Sequence, residues 1–411
     1  MEDRRRCKLS LNDLKIIAPI LKALKAQGYK EATPVQSGAI PPLLEGSDLL
    51  GCAQTGTGKT AAFAIPILQQ LSMTQGSQKG QKVIRALIIA PTRELALQIG
   101  DSFKVYGSNL QQRTAVIFGG VSQVPQEKAL KKGIDILVAT PGRLLDLINQ
   151  GFIDLSRIEH FVLDEADQML ERGMLIDVKR IIKFLPEKRQ TMFFSATMPD
   201  EVANLAYTIL KNPVKIEIKP AFTPIDIIEQ KVYFVDNKNK IKLLSMILKE
   251  EKYDSVLVFS RTKHGADKIV KDLNRMGFSA AAIHGNKSQT NRQIALSDFK
   301  KRKTRILVAT DIAARGLDIQ ELSHVINYNL PEVPETYIHR IGRTGRAGLG
   351  GKALSFCDYG EIPMLQAIER LIKKQLPEEK EHPFPLMDTS IVPKIQHIPR
   401  PRRPLSKGPR K

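Results

Sequence analysis

Short apolar runs rich in β-branched residues recur along the chain, separated by helix-length amphipathic stretches, and this rhythm constrains the fold more than any other feature. In the first half the runs include Leu49–Ala53, Arg85–Ala90, Thr114–Phe118, Asp135–Ala139, His160–Asp164 and Thr191–Phe194. In the second half they include Ser255–Ser260, Ala280–His284, Arg305–Ala309, His324–Tyr328 and Ala353–Cys357. Continuous apolar strands alternating with helices belong to parallel sheets covered on both faces. Because the rhythm runs twice, the chain reads as an α/β protein of two tandem, doubly wound parallel-sheet domains. Two prolines in Lys219-Pro220-Ala221-Phe222-Thr223-Pro224 break the pattern and disfavour helix. The expected division is a first domain at 1–218, a linker at 219–228, a second domain at 229–377 and a tail at 378–411.

Charge narrows the partners. Lys plus Arg number 63 against 43 Asp plus Glu, a net charge of +20, which calls for a polyanion: nucleic acid or an acidic membrane surface. From Thr389 to Lys411 there is no acidic residue, while Lys394, Arg400, Arg402, Arg403, Lys407, Arg410 and Lys411 alternate with prolines. That composition reads as a disordered basic tail. The hydrophobic share of 42% excludes disorder of the whole chain. Cys7, Cys52 and Cys357 are scattered and odd in number, which suggests reduced thiols, not disulfides or a zinc site. The basic N-terminus leads into no apolar segment, and no run approaches the roughly 20 residues of a membrane span. The expectation is a cytoplasmic protein without a membrane partner.

The strand Leu49–Ala53 runs into Ala53-Gln54-Thr55-Gly56-Thr57-Gly58-Lys59-Thr60, followed by the helical Ala61–Leu71. This is a phosphate-binding loop with Ala53 in the usual first glycine position. Small residues let successive backbone N–H groups turn inward around phosphate oxygens, and a helix N-terminus behind them favours the negative charge. Lys59 would reach the β- and γ-phosphates and Thr60 would hold Mg²⁺. A second strand delivers Asp164-Glu165-Ala166-Asp167 at its carboxyl end, where ligands of open α/β sheets bind. Asp164 suits Mg²⁺ coordination, and Glu165 suits orienting or deprotonating an attacking water. Near the end of the second half, His339-Arg340-Ile341-Gly342-Arg343-Thr344-Gly345-Arg346 sets three arginines among glycines, a cationic loop suited to spreading phosphoryl charge.

The loop together with Asp164–Asp167 resembles the DEAD-box ATP-dependent RNA helicases, and the likeness extends from Ser10 to Leu376 with about a dozen motifs in the family's order. It implies two RecA-like domains, ATP and Mg²⁺ as cofactors, and RNA held by its backbone with little sequence specificity. Gly28-Tyr29-Lys30-Glu31-Ala32-Thr33-Pro34-Val35-Gln36 looks like the adenine-reading Q motif, with Gln36 on the base edge and Tyr29 stacking. Ala32 replaces a usual proline and Leu11 an upstream phenylalanine, departures that would loosen adenine selectivity. By the same resemblance, Pro91, Thr92, Arg93, Gly119, Gly120, Thr140, Pro141, Gly142 and Arg143 hold RNA in the first domain. Arg261, Arg292 and Thr310 do so in the second. Asp167 with Ser195-Ala196-Thr197 would link hydrolysis to strand separation, Asp318 would face the ATP ribose, Arg343 and Arg346 would be arginine fingers, and His339 would connect the γ-phosphate region to the acids.

That arrangement implies RNA-stimulated ATP hydrolysis coupled to domain closure and local, non-processive strand separation. The basic tail would add sequence-independent RNA affinity through counterion release. Arg261–Asp267 and Ala282–Gln289 look most like the bacterial RhlE subgroup, which implies ribosome assembly or RNA turnover and ribonucleoprotein or RNA-decay partners. Two alternatives stay open: an ATP-gated RNA clamp with little turnover, and a DNA-translocating helicase with a similar twin-domain core.

Overall fold

The computed structural model of the chain describes residues 10–53, 56–74, 83–217, 228–250, 255–314, 322–344 and 351–388. It divides into two compact units, each with its own sheet.

The first unit holds β1 (Leu49–Cys52), β2 (Ala86–Ile89), β3 (Thr114–Ile117), β4 (Ile136–Ala139), β5 (His160–Leu163), β6 (Gln190–Ser195) and β7 (Val214–Glu217). They form one sheet in the order β3-β4-β2-β5-β6-β1-β7, with every pairing parallel. Neighbouring residues on a strand point to opposite faces, and each face has its own core. Ile88, Val138, Val162 and Met192 pack with the helices Pro34–Leu44, Lys59–Met73 and Arg93–Tyr106. Leu87, Leu137, Phe161 and Phe193 pack with the helices Pro141–Asn149, Leu175–Ile182 and Asp200–Ile209. Burying side chains of this size stabilises by roughly 1.5–3 kcal/mol each, which is why the apolar runs specify the sheet. β1 carries Gly51 because a Cβ there would lie 2.6 Å from the Phe194 ring of β6.

The second unit holds β8 (Ile228–Phe234), β9 (Val256–Phe259), β10 (Ala280–Ile283), β11 (Ile306–Ala309), β12 (His324–Asn327) and β13 (Gly351–Cys357). These also pair in parallel throughout, in the order β10-β11-β9-β12-β13-β8. Every strand expected from the apolar runs is present to within two residues at either end. β7 and β8 were not among them. β7 is an exposed edge, and β8 carries three consecutive polar residues, Glu229-Gln230-Lys231, so neither reads as a continuous apolar run.

Beyond the expected boundary at 377 the chain stays packed on the second unit. Val232 N–H donates to the Pro377 carbonyl at 2.9 Å, and Glu379 N–H donates to the Val232 carbonyl at 2.9 Å. Lys231 meets Glu379 at 2.8 Å, the His382 ring lies 5.6 Å from that of Tyr233, and Asp236 Oδ1 accepts the N–H groups of Met387 and Asp388. Residues 377–388 therefore run along the β8 edge of the sheet. The basic stretch from Thr389 lies outside the described residues, as does the linker except Ile228, which opens β8.

Candidate active site

Parallel pairing puts all strand carboxyl ends of a sheet on one edge, the edge where open α/β sheets bind ligands. In the first unit the motif segments follow these ends one by one. Across the sheet the order is Gly119-Gly120 after β3, Thr140–Arg143 after β4, Pro91–Ala96 after β2, Asp164–Asp167 after β5, Ser195–Thr197 at β6, and the phosphate loop after β1.

The nucleotide half of that edge is tightly organised. Lys59 opens the helix Lys59–Met73, and its Nζ lies 3.7 Å from Asp164 Oδ1. Both side chains are at least 95% buried, and neither of these two atoms has a hydrogen-bond partner. Burial pushes the Asp164 carboxyl up to about 6; Lys59 opposes the shift, and the neighbouring Glu165 adds to it. A buried ammonium and a buried carboxylate oxygen without hydrogen bonds are costly in isolation and fit a site built for charged ligand oxygens. Glu165 is buried and sits at φ 56°, ψ 52°. This left-handed conformation costs a non-glycine residue about 1–3 kcal/mol and persists only where the surroundings enforce it.

Gln36 reaches the loop from the helix Pro34–Leu44. Its Oε1 accepts from Thr33 N–H at 3.0 Å as half of a capping box, while its Nε2 donates to the Gly58 carbonyl at 3.3 Å. Gly58 has φ 96°, and a Cβ there would lie 2.6 Å from Gln36 Nε2. Ala53 is buried, Gly56 is exposed, and Thr57 and Thr60 are half-buried, while Gln54 and Thr55 fall outside the described residues. Tyr29 is half-buried; its hydroxyl bonds Tyr106 at 2.8 Å and the two rings meet edge to face. Leu11 and Ala32, the two departures from the family pattern, are both buried in the first unit's core.

Next to the acids, Asp167 Oδ2 accepts from Thr197 N–H at 2.9 Å and from its hydroxyl at 3.1 Å. Ser195 Oγ accepts from Asp167 N–H at 3.2 Å and donates to the Thr197 carbonyl at 2.7 Å. Ala196 lies within this closed ring of bonds joining β5 to β6.

The other half of the edge brings three separate segments together. The Arg93 guanidinium lies against Gly120, which has φ 73° and no room for a Cβ beneath that group. Arg143 Nη2 donates to the Val121 carbonyl at 3.3 Å, and its Nε lies 3.6 Å from Asp146. A Cβ built on Gly119 or Gly142 meets nothing within 4 Å. Thr92 caps the helix Arg93–Tyr106, while Thr140 and Pro141 lead into Pro141–Asn149.

In the second unit, Arg261 follows β9, Thr310 follows β11, and Arg292 lies on the helix Gln289–Lys300 after β10. His339 is exposed on the helix Pro334–Ile341, and Arg343 is buried just after it. Between them Arg340 is fully buried, fork-bonded to Asp311 at 2.6 and 2.7 Å and lying 4.8 Å from the Phe259 ring centre. Asp318 and Arg346 fall outside the described residues. Sequence reading assigned no role to Lys240, Asn329 or Glu361, which join Arg261 in a buried polar network. Their separations in the chain, up to 121 residues, leave no local signal.

The structure tests the fit to Mg²⁺ through its donor set. Among the described residues no cluster of three or more His, Cys, Asp or Glu could hold a metal. Asp164 and Thr60 fit an ion completed by nucleotide phosphate oxygens and water, which is how Mg²⁺ is usually held. Among the described residues no helix is long and apolar enough to cross a membrane.

Known proteins share this arrangement. Residues 33–205 match the DEAD/DEAH box helicase model, and residues 239–348 match the helicase conserved C-terminal domain. DEAD-box ATP-dependent RNA helicase CshA of Geobacillus kaustophilus is 40% identical over 382 residues, covering 93% of this chain and 80% of that protein. ATP-dependent RNA helicase CshA of Listeria monocytogenes is 43% identical, covering 87% of this chain and 68% of that protein. Among solved structures, Saccharomyces cerevisiae Dbp5 bound to RNA and ADP BeF3 superposes with a TM-score of 0.77 at 30% identity, over 90% of this chain and 95% of that one. A DEAD box protein from Methanococcus jannaschii superposes with a TM-score of 0.53 at 39% identity, over 90% of this chain and 99% of that one. The motifs, their order along both sheet edges and these likenesses agree: the chain belongs to the DEAD-box ATP-dependent RNA helicases.

Proposed function

We propose that the first unit positions ATP and the second completes its hydrolysis only when RNA engages both. The observation that carries this reading is the buried pair Lys59 Nζ and Asp164 Oδ1, 3.7 Å apart with neither atom hydrogen-bonded, beside a backbone-strained Glu165. Lys59 binds the β- and γ-phosphate oxygens, and Thr60 and Asp164 would hold Mg²⁺, which when bound neutralises charge on those oxygens. Gln36 reads the adenine edge and Tyr29 stacks on the base. Glu165 orients the attacking water and takes its proton.

The arginines proposed as fingers, Arg343 and Arg346, lie on the second unit's stretch of chain, with His339 and Asp318 as further nucleotide contacts. Arginine fingers are worth roughly 10³–10⁵ in rate, so the first unit alone is a poor ATPase. RNA held by Arg93, Gly119-Gly120 and Arg143 on one unit and by Arg261, Arg292 and Thr310 on the other supplies the free energy of closure. Closure strains one strand of a short duplex and releases the other, and the Asp167–Thr197 bonds carry the coupling. The contacts are to phosphate and sugar, which carry no sequence information. The protein works in the cytoplasm. Its likeness to the RhlE subgroup rests on Arg261–Asp267 and Ala282–Gln289 alone, whereas the relatives above are named CshA.

Strand release tests the reading directly. A short RNA duplex should dissociate in an ATP-dependent manner while a kilobase duplex under the same conditions stays paired. Processive release of the long duplex contradicts local, non-translocating action.

A further inference from the structure

Arg261 is tied from inside the second unit. Its Nη2 donates to Glu361 Oε1 at 2.6 Å, and its backbone N–H donates to Asn329 Oδ1 at 3.2 Å. Glu361 ends the 3-10 turn Tyr359–Glu361, a hundred residues downstream, and is 2% exposed. Asn329 Nδ2 donates to the same Oε1 at 3.2 Å. The other carboxylate oxygen accepts from Lys240 Nζ at 2.5 Å, and Lys240, fully buried, also meets Asp358 Oδ2 at 2.9 Å. Two cations thus balance two anions, and the carboxylate facing Arg261 is itself fixed by three further hydrogen bonds, one of them from Asp358 N–H at 3.4 Å.

The guanidinium is not consumed by this tie. The Arg261 side chain stays 37% exposed at the carboxyl end of β9. The exposed Glu332 stands at 4.0 Å from its Nε, near the outer limit of an ion pair. An arginine side chain free in solvent carries about 2 kcal/mol of rotamer entropy that a phosphate contact must overcome. Anchoring one nitrogen to a buried, neutralised carboxylate removes much of that cost in advance and leaves the outer edge of a rigid fork to meet an anion.

We propose that Glu361 is a positioning residue for RNA binding, holding the Arg261 guanidinium where it meets a backbone phosphate. This rests on the reading of Arg261 as an RNA contact. The competing account is that Glu361 merely fastens the Tyr359–Glu361 turn to Lys240. Asp358 separates the two, because it bonds the same Lys240 one step removed from Arg261.

The experiment measures affinity of the full chain for a labelled single-stranded RNA, with a non-hydrolysable ATP analogue, over a series of salt concentrations. Wild type is compared with Arg261→Ala, Glu361→Gln, Asp358→Asn and the Arg261→Ala/Glu361→Gln double variant, each checked by thermal unfolding. Arg261→Ala should weaken binding about tenfold, the size of one charge-assisted contact, and reduce the salt slope by roughly 0.7. Glu361→Gln should weaken binding in the same direction and raise the KM for RNA in the ATPase more than it lowers kcat. The double variant should bind no more weakly than Arg261→Ala alone, and Asp358→Asn should lower the unfolding temperature while binding RNA as wild type does. Additive losses in the double variant, wild-type binding by Glu361→Gln, or an equal loss in Asp358→Asn each overturn the positioning role. Wild-type binding by Arg261→Ala would instead show that Arg261 itself is misassigned, and the role of Glu361 would fall with it.

Discussion

Thr197 is joined to Asp167 twice, through its backbone N–H at 2.9 Å and its hydroxyl at 3.1 Å, so the end of β6 is bolted to the acids that follow β5. Thr197→Ala keeps the first bond and removes the second. A single hydrogen bond to a charged group is worth about 1.5–3 kcal/mol, enough to loosen the link without unfolding the unit. Strand separation per ATP hydrolysed should fall at least several-fold, measured as duplex released against phosphate released. An unchanged ratio would remove Thr197 from the coupling path.

Gly58 is required for two independent reasons. Its φ of 96° disfavours any side chain, and a Cβ there would press on Gln36 Nε2 and on Thr33 Oγ1 at 2.6 and 2.8 Å. Gly58→Ala should therefore disturb the loop and the Gln36 capping box together, with a backbone cost of about 1 kcal/mol or more. ATP affinity, followed by a fluorescent nucleotide, should drop by at least tenfold while the circular dichroism spectrum is retained. Tight nucleotide binding by this variant would show that the loop does not hold its phosphates through this geometry.

Asp164 predicts a pH effect of unusual sign. Its folded pKa lies near 6, whereas an unfolded aspartate titrates at about 3.9. Between those values the folded state binds the proton more tightly, so this group's contribution to stability falls as pH rises through the window and stays lost above it. Asp164→Asn should consequently raise the nucleotide-free unfolding temperature at neutral pH and lose that advantage near pH 4, while abolishing Mg²⁺-dependent hydrolysis. His160 works the other way. Burial holds it down to about 4, so its contribution is present above the ordinary histidine range and is lost as pH falls. Differential scanning at several pH values, comparing Asp164→Asn with wild type, isolates the carboxylate. A destabilised variant at neutral pH contradicts the assignment of its burial cost.

The meeting of Gly58-Lys59-Thr60 with Asp164-Glu165 on one sheet edge was legible because each motif follows an apolar strand at a fixed spacing. The strands under them were legible because parallel strands covered on both faces are continuously apolar. Networks closed by tertiary contact were not. Arg261 meets Glu361 across a hundred residues, Lys240 meets it across 121, and Tyr106 meets Tyr29 across 77, with no periodicity to connect them. The packing of residues 377–388 on β8 escaped for a related reason. Its register depends on two backbone bonds with Val232, which composition does not encode.

The end of that packed segment sets where the basic tail can be removed. Asp388 N–H is bonded to Asp236 at 2.8 Å, so truncation after Asp388 spares every described interaction with β8. The truncated protein should bind single-stranded RNA more weakly, its salt slope shallower by roughly 0.7 for each phosphate that the tail neutralises. Equal affinity and slope would assign the tail to solubility alone.

Above all, hydrolysis should wait for RNA and depend on Glu165. Steady-state ATP hydrolysis should be measured with and without single-stranded RNA, for wild type and Glu165→Gln, beside an equal mass of DNA. Strong stimulation by RNA alone, lost in Glu165→Gln while nucleotide and RNA binding persist, is the predicted result. Equal stimulation by DNA, or no turnover with any nucleic acid, would contradict it.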